Sequence, residues 1–307
     1  MKNLLQPIIQ RAYPSAKGST LTISENTICR TYATTLFYDD GLKIYFETDI
    51  AFLGGDDQGK TFCYTNKKEV YINGNNEPEL MVYNLIKDSG KVLYPALFVI
   101  SATGTIREVL NLNDISGRWL SIKTRIQQYY QGKVADHVVQ QMDHTLNHSE
   151  TLINALKDDW LWAILFPGFY SEFDTGIQSK TKFLLPIISH ISPSVNYTAI
   201  REPRIESLKN DVFTVLYNGL IDDNRCIEHI LNGDADPLPP FAEFNNSASG
   251  NMLLEYTIYK KDYSIQFVSG KASINTPGNK EKNVTIEIQH LPDKDRLLKE
   301  AVIIGSQ

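Results

Sequence analysis

The sequence predicts an α+β protein built on an antiparallel, curved β-sheet that packs on two central helices. Tyrosine (16) and phenylalanine (13) are plentiful and methionine (4) is scarce, which favours sheet. Strand-like segments occupy residues 19–110 and 180–290, whereas helical periodicity occupies residues 113–166. This order of strands, helices and strands differs from the alternating pattern of a doubly wound fold.

The first block predicts strands separated by turns. Residues 42–53 alternate partly between apolar and polar side chains, and turn sequences flank them. Two short strands are predicted over 60–64 and 69–72 with a turn between them. A short helix over 77–87 and a hairpin over 92–100 and 105–110 follow.

The middle block predicts two helices. The first begins near Asn113 or Asp114, either of which can cap it, and ends near residue 131. The second covers about 133–158, where apolar residues recur every three or four positions from Val134 to Trp160. The stretch that follows, 160–170, is almost wholly apolar and aromatic.

The last block returns to strands. They are predicted over 197–200, 212–217, 253–259, 263–268 and 284–288, and a polar loop over 232–251 interrupts them. An N-terminal segment, 1–18, would precede a single domain over 19–307. In element order alone, the chain resembles carriers of the LolA type, whose curved sheet embraces helices.

Composition excludes several classes of function. The net charge is −6 and adjacent basic residues occur only as pairs, which argues against a nucleic-acid partner. Three cysteines without a CxxC pair predict neither disulfides nor a zinc site. The longest apolar run, 92–100, is half of a membrane span, so we expect no span and a cytoplasmic location. We expect no cofactor.

One segment matches the phosphate-binding pattern GxxxxGK[ST], with Gly54, Gly59, Lys60 and Thr61 at its fixed positions. In such a site the loop amides and the lysine hold phosphates, and the hydroxyl binds magnesium. A helix must begin at the lysine, but residues 61–65 are β-branched and aromatic, which is typical of a strand. A hairpin loop is therefore the favoured interpretation, and a nucleotide-binding enzyme is the alternative.

Two histidines, His144 and His148, have the i, i+4 spacing of a helical metal pair. Both lie away from the apolar stripe of the predicted helix, and no HExxH pattern includes them. A solvated histidine face is the favoured interpretation, so they are only weak metal candidates.

Two aromatic or proline-rich features predict a partner. Trp160, Trp162 and Phe166 are of the types that dominate interface hot spots, although they equally dominate cores. Pro239 and Phe241 lie in an extended stretch of a long polar loop. No catalytic motif competes with them, so the sequence predicts a non-catalytic binding or assembly protein. It would hold a protein partner, a second copy of itself or an apolar ligand.

Overall fold

The computed structural model describes residues 28–55, 61–74, 81–101, 104–166, 180–188, 194–204, 211–234, 248–278 and 280–295. Over these residues the chain is α+β, as predicted, with a large antiparallel sheet. The strands are β1 (Ile28–Tyr38), β2 (Lys43–Gly55), β3 (Thr61–Ile72), β4 (Ala96–Ile100), β5 (Ile106–Val109), β6 (Lys180–Leu185), β7 (Val195–Arg204), β8 (Val212–Ile221), β9 (Asn251–Tyr259), β10 (Ile265–Thr276) and β11 (Lys280–His290). The helices are α1 (Met81–Lys91), α2 (Leu112–Tyr129), α3 (Lys133–Thr145), α4 (Ser149–Lys157), α5 (Trp160–Leu165) and α6 (Ile227–Asn232).

The eleven strands form one sheet in the order β5-β4-β3-β2-β1-β11-β10-β9-β8-β7-β6. The chain runs from the centre at β1 out to the edge at β5, and it returns from the other edge at β6 to the centre at β11. The segment 110–179, which contains α2 to α5, therefore connects the two edges. This topology explains why a helical block separates two strand blocks in the sequence.

One face of the sheet carries the core. On β9, Met252, Leu254, Tyr256 and Ile258 are buried, and the residues between them are more exposed. The same period of two recurs on β11, where alternate residues are buried. Alternation of this kind is expected of an antiparallel sheet with one covered face.

Strand β3 is continuous where the sequence predicts two short strands and a turn. It pairs with β2 from Ile44↔Ile72 to Gly55↔Thr61, and the register shifts between Phe46 and Thr48. An irregularity in the ladder absorbs the polar sequence at 65–68, because an extra residue can be accommodated without ending the strand. The turn-like composition was therefore misleading.

The long helix predicted over 133–158 is two helices. Helix α3 ends at Thr145, and α4 begins at Ser149. The Thr151 hydroxyl donates to the Thr145 and His148 carbonyl oxygens, at 2.9 and 2.7 Å. Hydroxyl side chains can compete with the hydrogen bonds of a helix. This explains why the helix is interrupted between Thr145 and Ser149 although the apolar periodicity continues.

Strands β1 and β6 and helix α6 were not recognised in the sequence. Strand β1 has buried threonines on it, Thr31 and Thr34, so its apolar alternation is weak. Adjacent residues of β1 are both buried at 28–29 and at 31–32, so both faces of the strand are covered in part. Helix α1, Met81–Lys91, extends past the predicted end at 87, and residues 75–80, which include the predicted start, lie outside the described residues.

A network of ion pairs and hydrogen bonds connects the end of β11 with β1 and with the turn after β9. Arg30 contacts the carboxylates of Asp262 and Asp295. His290 Nε2 lies 2.8 Å from Asp295 Oδ2, and its Nδ1 lies 3.0 Å from the Tyr259 hydroxyl. Since these groups hydrogen-bond to one another, the network joins β1, the turn after β9 and the segment after β11, which are distant in the sequence.

A second polar network joins the segments next to β7, β8 and α6. The Arg225 guanidinium binds Asp223 through two hydrogen bonds, Nε to Oδ1 at 2.8 Å and Nη2 to Oδ2 at 2.7 Å. It also donates to the Ser194 carbonyl oxygen at 2.6 Å and to that of Asp234 at 3.1 Å. Both side chains of the pair are almost completely buried. A bidentate pair of this kind is strong and fixes geometry.

The Asp223–Arg225 pair should make stability depend on acid pH. Burial raises the pKa of Asp223, but hydrogen bonds from Arg225 and from the Asn196 and Arg225 backbone outweigh it and lower the pKa to about 2. A depressed folded pKa contributes stability above the unfolded pKa, and this is lost as pH falls from about 4 towards 2. We expect the difference in unfolding free energy between the native chain and Asp223→Asn to shrink over that window. Urea unfolding at pH 7, 4, 3 and 2 measures it, and a difference independent of pH would contradict the assignment.

None of the helices in the described part of the chain is long and apolar enough to cross a membrane. The cysteines Cys29, Cys63 and Cys226 are buried, and none forms a disulfide. Burial raises the pKa of the Cys63 thiol to about 12 despite a hydrogen bond with Thr65. A thiol held neutral in this way is a poor nucleophile.

Candidate functional site

Helix α5 is the element that places the predicted tryptophans. The Asp159 carboxylate caps it by accepting a hydrogen bond of 2.8 Å from the Leu161 backbone. Such a cap satisfies an otherwise unpaired amide at the helix start. All six residues of the helix are buried, because its short apolar sequence has no polar face.

Helix α5 contacts strands from both halves of the sheet. The Trp160 indole donates to the Tyr38 hydroxyl on β1 at 2.8 Å. The Tyr256 hydroxyl on β9 donates to the Ile164 carbonyl oxygen at 3.0 Å. The helix therefore lies on the buried face of the sheet, and the tyrosine hydroxyls satisfy its polar groups in the core.

The predicted partner residues of this helix are in the core. Trp160, Trp162 and Phe166 are 5%, 2% and 7% exposed, respectively. The Trp162 ring stacks on Phe166 at 5.0 Å and meets Phe98 edge-on at 4.6 Å. They do not form an exposed hot spot, so a binding role would require a ligand that enters the fold. Trp160 meets this condition because it lines a cavity.

Pro239 and Phe241, the other predicted partner residues, lie outside the described residues. Their role in binding stays a prediction.

The segment with the phosphate-binding pattern joins β2 to β3. Gly54 and Gly55 end β2 and Thr61 begins β3, while Gly59 and Lys60 lie outside the described residues. Residues 61–72 are strand, so no helix begins at Thr61, where a phosphate-binding loop of this type requires one. This favours the hairpin interpretation over the nucleotide-binding one.

The two candidate metal histidines are not one turn apart on a helix. His144 lies in the last turn of α3, whereas His148 is the extended residue before α4. The i, i+4 geometry of the sequence prediction is therefore wrong, since the helix breaks between them. Within the described residues, no group of three or more His, Cys, Asp or Glu side chains is placed to hold a metal ion.

A cavity of about 480 Å³, the α1 cavity, lies between α1 and the sheet. Its floor is apolar and comes from β1, β2 and β3, with Leu36, Phe46, Val70 and Ile72 among its residues. Helix α1 contributes Tyr83 and Ile86, and the far wall contains Trp160, Pro186 and Ile188. Its volume lies within the range of about 300–1,000 Å³ that is usual for small-molecule sites.

The polar groups of the α1 cavity are few and mostly cationic. Among the described lining residues are four lysines, Lys67, Lys68, Lys87 and Lys91, and two aspartates, Asp158 and Asp159. Tyr38 also lines it, and burial raises the pKa of this phenol to about 12, so its hydroxyl stays neutral. An apolar cavity with a few charged groups fits an amphipathic ligand.

Sequence reasoning did not find the α1 cavity. Its walls come from residues as distant as Leu36 and Ile188, and each wall taken alone is an ordinary strand or helix. The one local signal is the pair Lys87 and Lys91, which lie four residues apart and so share a face of α1. Of the predicted residues, Trp160 alone is among the described lining residues of this cavity.

Comparison with known proteins gives no family. No protein-family model matches the chain, and no curated protein matches it.

Proposed function

We propose that the protein is a non-catalytic binding protein that holds an apolar or amphipathic small ligand in the α1 cavity. The observation that carries the proposal is the cavity itself, about 480 Å³ in volume and lined mainly by apolar side chains. A concave and mainly apolar space of this size is the kind of site in which small molecules bind. The proposal keeps the predicted packing of a curved sheet on two central helices; the contacts of a different helix, α5, with β1 and β9 support only the presence of a helix on the sheet.

The binding energy would come from burial of the ligand. Removing apolar surface from water contributes about 25 cal/mol per Å². The floor residues Phe46 and Val70 lie in adjacent strands, β2 and β3, and are cross-strand partners. The rigid sheet therefore preforms this part of the site, which lowers the entropy cost of binding.

Filling the cavity should weaken binding. Val70→Phe places a ring in the space that the ligand would occupy, and we expect it to weaken binding of a neutral apolar fluorophore, N-phenyl-1-naphthylamine, by at least about tenfold. A fluorescence titration measures the change. The native chain should show saturable enhancement at one site.

A matched substitution elsewhere controls for stability. Leu253→Phe enlarges an exposed apolar side chain on β9, outside the cavity, and should leave the titration unchanged. Equal binding by the native chain and Val70→Phe would place the fluorophore outside the α1 cavity. No saturable binding to the native chain would reject the proposed function.

A protein partner is the second hypothesis. Three large apolar side chains of α1 are exposed, Met81, Val82 and Ile86. Exposed apolar groups that cluster on one helix are typical of interaction surfaces. Native mass spectrometry of the protein purified gently from its own cells distinguishes the two, because it weighs a bound small molecule or a bound chain directly.

A further inference from the structure

The face of the sheet opposite the core, the outer face, presents exposed side chains on several neighbouring strands. On β9 the exposed Leu253 and Glu255 alternate with buried residues, and on β11 Thr285 and Glu287 do the same. Leu253 is 48% exposed, and Leu220 on the neighbouring strand β8 is 67% exposed. This face is therefore open to contact by another molecule, and part of what it offers is apolar.

Three exposed glutamates form a row across the outer face. Glu202 on β7 and Glu255 on β9 are both cross-strand partners of Leu216 on β8. Glu255 and Glu287 on β11 are both cross-strand partners of Ser269 on β10. These glutamates, the acidic row, stand on alternate strands, so neighbours in the row are about 10 Å apart. Uncharged residues separate them.

Three exposed lysines form a second row, parallel to the first. Lys271 on β10 lies two positions after Ser269 and is therefore on the same face. Pairing from strand to strand connects Lys271 with Lys180 on β6 in one direction and with Lys43 on β2 in the other. These lysines, the basic row, lie two residues along the strands from the acidic row, which is about 7 Å.

The charges of the two rows are not paired within the described part of the chain. None of the ion pairs formed there includes a member of either row. Lys43 Nζ lies 4.9 Å from the Phe37 ring centre. A hydrogen bond with Ser273 and, less strongly, the charge of Lys271 lower the pKa of Glu281. The carboxylates of the acidic row thus remain available to ammonium groups of another molecule.

We propose that the outer face binds a second copy of this chain in a twofold-symmetric dimer, with the acidic row of each copy on the basic row of the other. A twofold axis that lies in the interface, parallel to the rows and between them, keeps each strand over its counterpart and exchanges the rows. Because glutamates and lysines stand on different strands, the rotation interleaves them. Lys271 of one copy then lies between Glu255 and Glu287 of the other, above Ser269.

A second copy fits this face because the pattern is its own complement. In a twofold dimer the same patch must match itself, which two parallel rows of opposite charge do and a row of one sign does not. Opposite charges across an interface fix its register and suppress wrong partners. Leu253 lies in the basic row, so the contact also removes this apolar side chain from water. The α1 cavity is on the other face of the sheet, so this inference does not rest on the proposed function.

Reversing the charges tests the pairing. Sedimentation equilibrium of the native chain at micromolar concentration should give twice the mass of one chain. Lys271→Glu should raise the dissociation constant of the dimer at least about tenfold, because it sets like charges together at two symmetric places. Glu255→Lys combined with Glu287→Lys should have a similar effect for the same reason.

The sharpest measurement uses an equal mixture of the two charge-reversed variants. In the mixed dimer each reversed group again meets the opposite charge, so the mixture should dimerise with about the native dissociation constant. Two misfolded variants would not restore each other in this way. Lys261→Glu makes the same change of charge at an exposed lysine in the turn between β9 and β10, and it should dimerise like the native chain.

Three results would overturn the dimer. The first is a native chain that stays monomeric up to about 100 μM, where a specific dimer should form. The second is a dimer that Lys271→Glu leaves unchanged, because its interface would then lie elsewhere. The third is failure of the mixed variants to dimerise, which would show that Lys271 does not meet Glu255 and Glu287.

Discussion

Replacing Trp162 by alanine is expected to lower the free energy of unfolding by about 3–5 kcal/mol, because it leaves a cavity in the core. The indole is 2% exposed, stacks on Phe166 and donates a hydrogen bond of 3.2 Å to the Tyr94 hydroxyl. The substitution removes this packing and leaves the buried hydroxyl without that donor. Urea unfolding followed by circular dichroism measures the loss.

An exposed aromatic residue provides the comparison. Tyr129 on α2 is 68% exposed, and Tyr129→Ala should change the free energy of unfolding by about 0.5 kcal/mol or less. A comparably small loss for Trp162→Ala, together with loss of a bound partner, would instead place Trp162 in an interface.

Replacing Arg225 by alanine should have an effect of similar size. The guanidinium satisfies the buried carboxylate of Asp223 and two backbone carbonyl oxygens, those of Ser194 and Asp234. Its removal leaves a buried, unpaired charge, and such losses cost about 3–5 kcal/mol. Thermal and urea unfolding at pH 7 measure the change.

A double-mutant cycle distinguishes this mechanism from general damage. In the Arg225→Ala background, Asp223→Ala should cost little more or even restore stability, since it removes the unpaired charge. Lys123→Ala breaks an ion pair that is more exposed and should cost about 0–1 kcal/mol. Additive losses for the two members of the buried pair would show that they do not act as a unit.

The fold class could be predicted from the sequence alone because the patterns that indicate it are local. Alternation along β9 and β11 has a period of two. Helix α2 begins at Leu112, close to the predicted start, although Asn113 and Asp114 lie in its first turn and do not cap it. These patterns depend on neighbours a few residues away, so one chain is enough to read them. The order of strands, helices and strands then limits the topology.

Two errors in the predicted elements have different causes. The polar residues at 65–68 indicated a turn, but pairing with β2 and β4 keeps β3 extended. The apolar period from 134 to 160 indicated one helix, but hydroxyl groups near 148 interrupt it. At β3, pairing with other strands overrides the local preference, whereas between α3 and α4 the competing hydrogen bonds join residues only three and six positions apart.

The sequence by itself determined an antiparallel α+β protein with apolar and aromatic residues at 160–166. It did not determine whether those aromatics face a partner or the core, because both environments favour the same residue types. The tertiary structure shows that these side chains are buried, because α5 lies on the covered face of the sheet, while their role in binding stays a prediction. The α1 cavity also exists only in the tertiary structure. Its lining residues, such as Leu36, Lys91 and Trp160, are distant in the sequence and come together only in the folded chain.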